Sequence, residues 1–129
     1  MLIQIDFESD DPIYMQLRCQ IIEGIARGDL ANGETLPSVR QLAEDIGINL
    51  HTVNKTYNIL KSEGYLTIDR RKGAVVNEIP HKDKLSSQQA LDLKEDLKLT
   101  LAQMHCKGIS KDEVNNWINE IYNNFSKRR

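Results

Sequence analysis

Long apolar runs are missing. No stretch of the 129 residues approaches the roughly 18 needed to cross a bilayer, so a membrane-spanning chain is excluded. The opening MLIQIDFESDD is acidic and alternating, and lacks the basic and then apolar regions of a secretion signal. Cysteine is scarce: Cys19 and Cys106 stand far apart in no spaced motif. That excludes a disulfide scaffold and leads us to expect reduced thiols in cytoplasm, Cys19 as a small packing residue on its helix. No Ser/His/acid or Cys/His set falls in a local catalytic signature, and no Gly-rich loop resembles a phosphate cradle. His51, His81 and His105 lie in three separate segments. His105, beside Cys106, suits a helix C-terminus better than a metal. The chain therefore reads as no enzyme, with no metal site and no cofactor.

A basic excess is missing too. With 17 Lys/Arg against 19 Asp/Glu the net charge is −2, which by itself argues against a polyanion as partner. The distribution of charge along the chain points the other way. From Gly47 to Ser62 there is no acid at all, only Lys55, Lys61 and His51, and Arg70-Arg71-Lys72 follow as a cluster. An anion-binding face, if local, lies in those two stretches.

What is present is a core-forming composition, 40% hydrophobic and 28% charged, the size of one small domain with an appendage and without internal repeats. Ile3 to Glu8 alternate apolar and polar, the pattern of a short half-buried strand. Pro12, with Asp10 and Asp11 as caps, opens a helix over about 12–28 carrying Ile13, Leu17, Ile21, Ile22 and Ile25. Ser38 and Gln41 have capping-box spacing ahead of a short helix to Ile46. Gly47 ends that helix, Asn49 caps the next, and Gly64 closes it. Two short helices about a Gly-containing turn form a helix-turn-helix. Leu66-Thr67-Ile68 and Ala74-Val75-Val76 then flank a basic turn, a hairpin in the position of a wing.

Residues 78–86 are polar and read as a linker. Beyond them, Ser86 or Ser87 caps a helix with Ala90, Leu93, Leu97, Leu101 and Met104 in its stripe, widened by Leu91 and Leu99. Ser110 and Glu113 open another, in which Val114, Trp117, Ile118, Ile121, Tyr122 and Phe125 recur at helical spacing. Two such helices cannot close a core alone, and a second copy of the chain is the simplest cover. The fold class is mainly α (α+β). An N-terminal winged helix-turn-helix occupies 1–77 and a two-helix dimerisation segment occupies 87–129.

In a helix-turn-helix the start of the second helix meets base edges in the major groove. Here that start is Asn49, Leu50, His51, Thr52, Asn54 and Lys55. Asn reads adenine bidentately, Thr meets either base class or a thymine methyl, and Lys takes guanine or phosphate. Ser38 and the helix end beside it can hold a phosphate. Arg40 has two readings, DNA contact or a surface pair with Glu44 at i+4. Arg70, Arg71 and Lys72 suit the minor groove or flanking backbone, with Gly73 supplying the turn's positive φ.

The segments Asp11-Pro12-Ile13-Tyr14, Leu36-Pro37-Ser38-Val39-Arg40-Gln41-Leu42-Ala43, Ile48 to Tyr57, Glu63-Gly64 and Lys72 to Val76 together resemble the GntR family of bacterial transcriptional regulators. The tail length points to the YtrA-like subfamily. The resemblance implies a dimeric winged-helix regulator, usually a repressor, on an inverted-repeat operator, often encoded beside transporter genes. It favours DNA contact for Arg40. Many members carry arginines where this chain has Leu50 and Asn54, so their base contacts do not transfer. Larger members hold an effector in a C-terminal domain, for which the 49 residues after Pro80 are too few. The expected partners are double-stranded operator DNA and a second copy of the chain. The rival reading is a winged helix that binds a protein instead, which would show a flat response to salt.

Overall fold

The computed structural model describes residues 3–79 and 87–125. Its elements run α1 (Ile13–Arg27), α2 (Val39–Ile46), α3 (Leu50–Ser62), β1 (Leu66–Asp69), β2 (Gly73–Val76), α4 (Ser87–Cys106) and α5 (Lys111–Asn123). The chain divides into two compact units, one running to Glu78 and taking in Phe125 as well, the other spanning Ile79–Asn124.

The first unit is built on a three-helix core. Leu17 and Ile21 from α1, Leu42 from α2, and Val53, Tyr57 and Leu60 from α3 are buried together with Leu30, Leu36, Leu66, Ala74 and Val76. Helical spacing in the sequence selects the helix residues of this core, whereas Leu30 and Leu36 lie in connecting segments that carry no such signal. Thr56 is buried as well. Its hydroxyl donates to Thr52 O one turn back at 2.9 Å, which removes the cost of an unpaired polar atom in a core. At the end of α3, Arg18 of α1 forks onto Glu63, Nε to Oε1 at 2.7 Å and Nη2 to Oε2 at 3.0 Å. The Tyr57 hydroxyl donates to Pro37 O at 2.7 Å, fixing the entry to α2 from beneath. Burial pushes its phenol well above the ordinary value.

The strand expected over 3–8 does not form. Two glutamines of α1 act instead as the partner of the extended segment. Gln4 N–H donates to Gln20 Oε1 at 3.0 Å and Gln20 Nε2 returns to Gln4 O at 2.6 Å. Asp6 N–H and Asp6 O pair the same way with Gln16, at 2.9 and 3.0 Å. Period-two alternation reported burial against a helix, not strand pairing. Nor do Asp10 and Asp11 cap α1: its N-cap is Pro12, with no side-chain bond. Cys19, expected to pack, is exposed on α1.

β1 and β2 pair antiparallel from Leu66↔Val76 to Asp69↔Gly73. The chain ahead of α2 joins their edge, which sequence reading missed. Thr35 bridges Val75, Leu36 N–H donates to Ala74 O at 2.7 Å, and Val76 N–H donates to Glu34 O at 2.9 Å. The wing is thus anchored from both ends of the helix-turn-helix.

In the second unit, α4 and α5 meet at a turn through Gly108, where Ile109 N–H reaches back to Met104 O at 3.0 Å. Ser110 Oγ caps α5 by accepting Glu113 N–H at 3.2 Å. Phe125, placed in the stripe by spacing, falls after the C-cap Asn124. Residues 80–86, and with them the cap expected from Ser86 and most of the linker, lie outside the described residues. No helix among the described residues is long and apolar enough to cross a membrane.

Candidate nucleic-acid interface

The turn between α2 and α3 is tight because Gly47 takes φ 71°, a left-handed conformation that side chains disfavour. Ile48 N–H then closes on Ala43 O at 3.0 Å. Asn49 caps α3, its Oδ1 accepting His51 N–H at 2.7 Å. The cap leaves the Asn49 amide group to donate outward. Asn54 differs: among the described residues its side chain has no partner, so it keeps both the acceptor and the donor that bidentate adenine recognition requires. Leu50, His51, Asn54 and Lys55 are exposed and Thr52 is half-buried. Leu50 is 37% exposed, an apolar group set among polar ones where a thymine methyl is the complementary feature.

Lys55 is not a free cation. Its Nζ stands 4.0 Å from the centroid of the Tyr14 ring, at the start of α1. A contact between residues so far apart in the chain leaves no spacing signal, though Tyr14 lies in one of the segments that carry the family resemblance.

At the start of α2, Ser38 Oγ accepts Gln41 N–H at 3.0 Å. Only half of the capping box forms, because Gln41 Nε2 turns instead to Asp45 Oδ1 at 2.7 Å. The Ser38 O–H therefore remains a donor. Arg40 is exposed and, among the described residues, makes no ion pair with Glu44. The pair with Glu44 at i+4 is not formed in this structure, and the guanidinium faces solvent.

The wing tip is ordered by one carboxylate. Asp69 Oδ1 accepts Arg71 N–H at 2.7 Å and Lys72 N–H at 3.1 Å, and these bonds hold its carboxyl below the usual range. Gly73, at φ 90°, lets the strand resume after a loop of three residues. Arg70, Arg71 and Lys72 are all exposed, their side chains in no ion pair among the described residues. No group of His, Cys, Asp and Glu among the described residues could hold a metal ion.

Residues 13–76 match the model of the bacterial regulatory proteins of the gntR family. The chain is 35% identical over 120 residues to the HTH-type transcriptional repressor YtrA of Bacillus subtilis (strain 168), spanning 93% of this chain and 92% of that protein. Among solved structures, it is 39% identical to YtrA from Sulfolobus acidocaldarius, a GntR-family transcription factor, with a TM-score of 0.58 over 92% of this chain and 95% of the other. The DNA-binding domain of AraR, in complex with operator ORE1, is 25% identical with a TM-score of 0.50, over 59% of this chain and 93% of that one.

Proposed function

The chain belongs to the gntR family of bacterial regulatory proteins, and on that premise we propose that it is a cytoplasmic repressor that binds an inverted-repeat operator as a homodimer. It is a DNA-binding transcriptional regulator and not an enzyme. One observation carries the mechanism: the first turns of α3, from Asn49 to Lys55, present a polar, acid-free and largely exposed face. Such a surface belongs in a major groove, with Asn54, Leu50 and Thr52 on base edges and Lys55 on guanine or phosphate. Ser38 and Arg40 hold backbone phosphates, and the wing lays Arg70, Arg71 and Lys72 on flanking DNA.

The dimer is supported by apolar side chains that the second unit leaves uncovered. Leu93, Leu97, Leu101, Ile118, Ile121 and Tyr122 are all exposed, and Met104, Val114 and Trp117 are only half-buried. Pairing these helices between two chains removes that surface from water. The two recognition helices then meet half-sites about 34–36 Å apart, or a multiple of that, one DNA turn per step. Repression then follows from occlusion of the promoter.

Selection of duplexes from a random pool by the intact chain tests the reading. The expected product is an inverted repeat whose affinity falls with salt at a log–log slope of about −0.9 per phosphate neutralised. No enrichment together with a flat salt response would overturn it.

A further inference from the structure

The geometry points to Tyr14 as a positioning residue for DNA binding: its ring holds the Lys55 ammonium in place on the recognition helix before DNA arrives. The inference rests on the DNA-contact reading of Lys55 and adds a residue of α1 to it. Lys55 Nζ lies 4.0 Å from the ring centroid, well inside the range over which an aromatic quadrupole attracts a cation. Tyr14 is half-buried and Lys55 is exposed. The ring is therefore seated in the fold, while the far side of the ammonium stays open to a phosphate or a guanine.

The backbone around the pair is fixed. Thr56, next to Lys55, is fully buried, with its hydroxyl on Thr52 O at 2.9 Å and approaching Tyr14 O at 3.5 Å. Leu17, one turn beyond Tyr14, and Val53 are in the same core. α3 cannot slide on α1 without breaking that packing, so the ring and the lysine stem keep their register. A lysine on bare helix surface samples many rotamers and loses that freedom when it binds. A lysine already held over a ring loses less. Tyr14 thus strengthens a contact that it does not itself make.

The test is a double-mutant cycle on the intact chain, read by fluorescence anisotropy on a duplex selected from a random pool. Lys55→Met keeps the stem and removes the charge. Tyr14→Leu removes the ring, and Tyr14→Phe keeps it while removing the hydroxyl. Tyr14→Leu is expected to weaken binding about three- to fivefold when Lys55 is present, and less than about twofold in the Lys55→Met background. Tyr14→Phe should stay within about twofold of the parent, which also excludes a role for the hydroxyl and guards against misfolding. Equal losses with and without Lys55 would mean that Tyr14 is merely structural. Tighter binding by Tyr14→Leu would mean that the ring holds the cation away from DNA. Either result overturns the inference and leaves the interface intact. If Lys55→Met changes neither affinity nor salt slope, Lys55 does not contact DNA, and the reading on which the inference rests fails with it.

Discussion

The two units of this chain carry similar apolar residues and use them in opposite ways. In the N-terminal unit the stripes of α1, α2 and α3 converge, and Leu17, Ile21, Val53 and Leu60 lose all contact with solvent. In α4 and α5 no described residue is buried, and Leu93 and Tyr122 are 60% and 67% exposed. Covering one such side chain stabilises by roughly 1.5–3 kcal/mol. The first unit realises that gain within one chain. The second leaves it unrealised within its own helices, and under the proposed dimer its stability would become a function of concentration. On the proposed reading, a self-sufficient reader of DNA is tethered to a segment that a second chain completes.

Separating the two units puts this division of labour to the test. Residues 1–80 alone should fold, sediment as a monomer, and bind a full inverted repeat at least about a hundredfold more weakly than the intact chain. The loss arises because the second half-site is otherwise presented at an effective concentration near the millimolar range. Sedimentation and anisotropy on the two chains decide it. A dimeric fragment, or a monomeric parent, would place association elsewhere.

Single substitutions should divide along the same line. Leu60→Ala opens a cavity in a closed core and is expected to cost about 2–5 kcal/mol of unfolding free energy, independent of protein concentration. Leu97→Asp should leave unfolding of the N-terminal unit unchanged and shift the monomer–dimer equilibrium toward monomer. Denaturant unfolding at two concentrations separates these outcomes.

Helix faces were legible in the sequence for a physical reason. Burial at i, i+3, i+4 and i+7 writes itself into residue type, so Leu17, Ile21, Val53 and Leu60 announce their side of each helix. Glycines at turns were equally plain, since Gly47 and Gly73 adopt a φ that other residues avoid. Segment 3–8 misled, and segment 33–36 went unread. The first alternates like a strand and is held by Gln16 and Gln20; the second shows no alternation and joins the wing. Both outcomes depend on backbone partners from distant chain, which leave no mark on side-chain pattern. The candidate interface was legible as a charge pattern, an acid-free stretch beside a basic cluster. Its internal geometry was not: the cap that occupies Asn49 Oδ1 and the ring beneath Lys55 are contacts, not compositions.

Within the N-terminal unit the contrast can be sharpened between what the core holds and what local bonds hold. The wing tip carries charge without a core beneath it. Changing Arg70, Arg71 and Lys72 together to Ala should leave thermal stability nearly unchanged. The log–log salt slope of DNA binding should become shallower by roughly one to three units. An unchanged slope would show that the tip does not neutralise phosphate.

The smallest expected effect concerns Asp69, which orders that tip by accepting the Arg71 and Lys72 N–H groups. Its carboxyl is held below the ordinary value in the folded chain, first by the bond from Arg71 and then by the one from Lys72. A depressed folded value means that the ordering is complete above the unfolded pKa and is lost as pH falls through the folded one. The tip should therefore be unaffected from neutrality down to about pH 4 and loosen only in more acidic solution. Asp69→Asn keeps an oxygen for both N–H groups and removes the titration, so its tip should show no such acid transition. Asp69→Ala removes the oxygen as well, and the Arg71 and Lys72 amides should exchange with solvent faster at every pH. Because all three basic side chains remain, the DNA salt slope of Asp69→Ala should match that of the parent, with affinity lower by no more than about threefold. Amide exchange at these two residues measures the order of the tip, and the salt slope measures its charge. If Asp69→Ala changed the slope and not the exchange, the carboxylate would be acting through its charge on the DNA and not as the acceptor that shapes the loop.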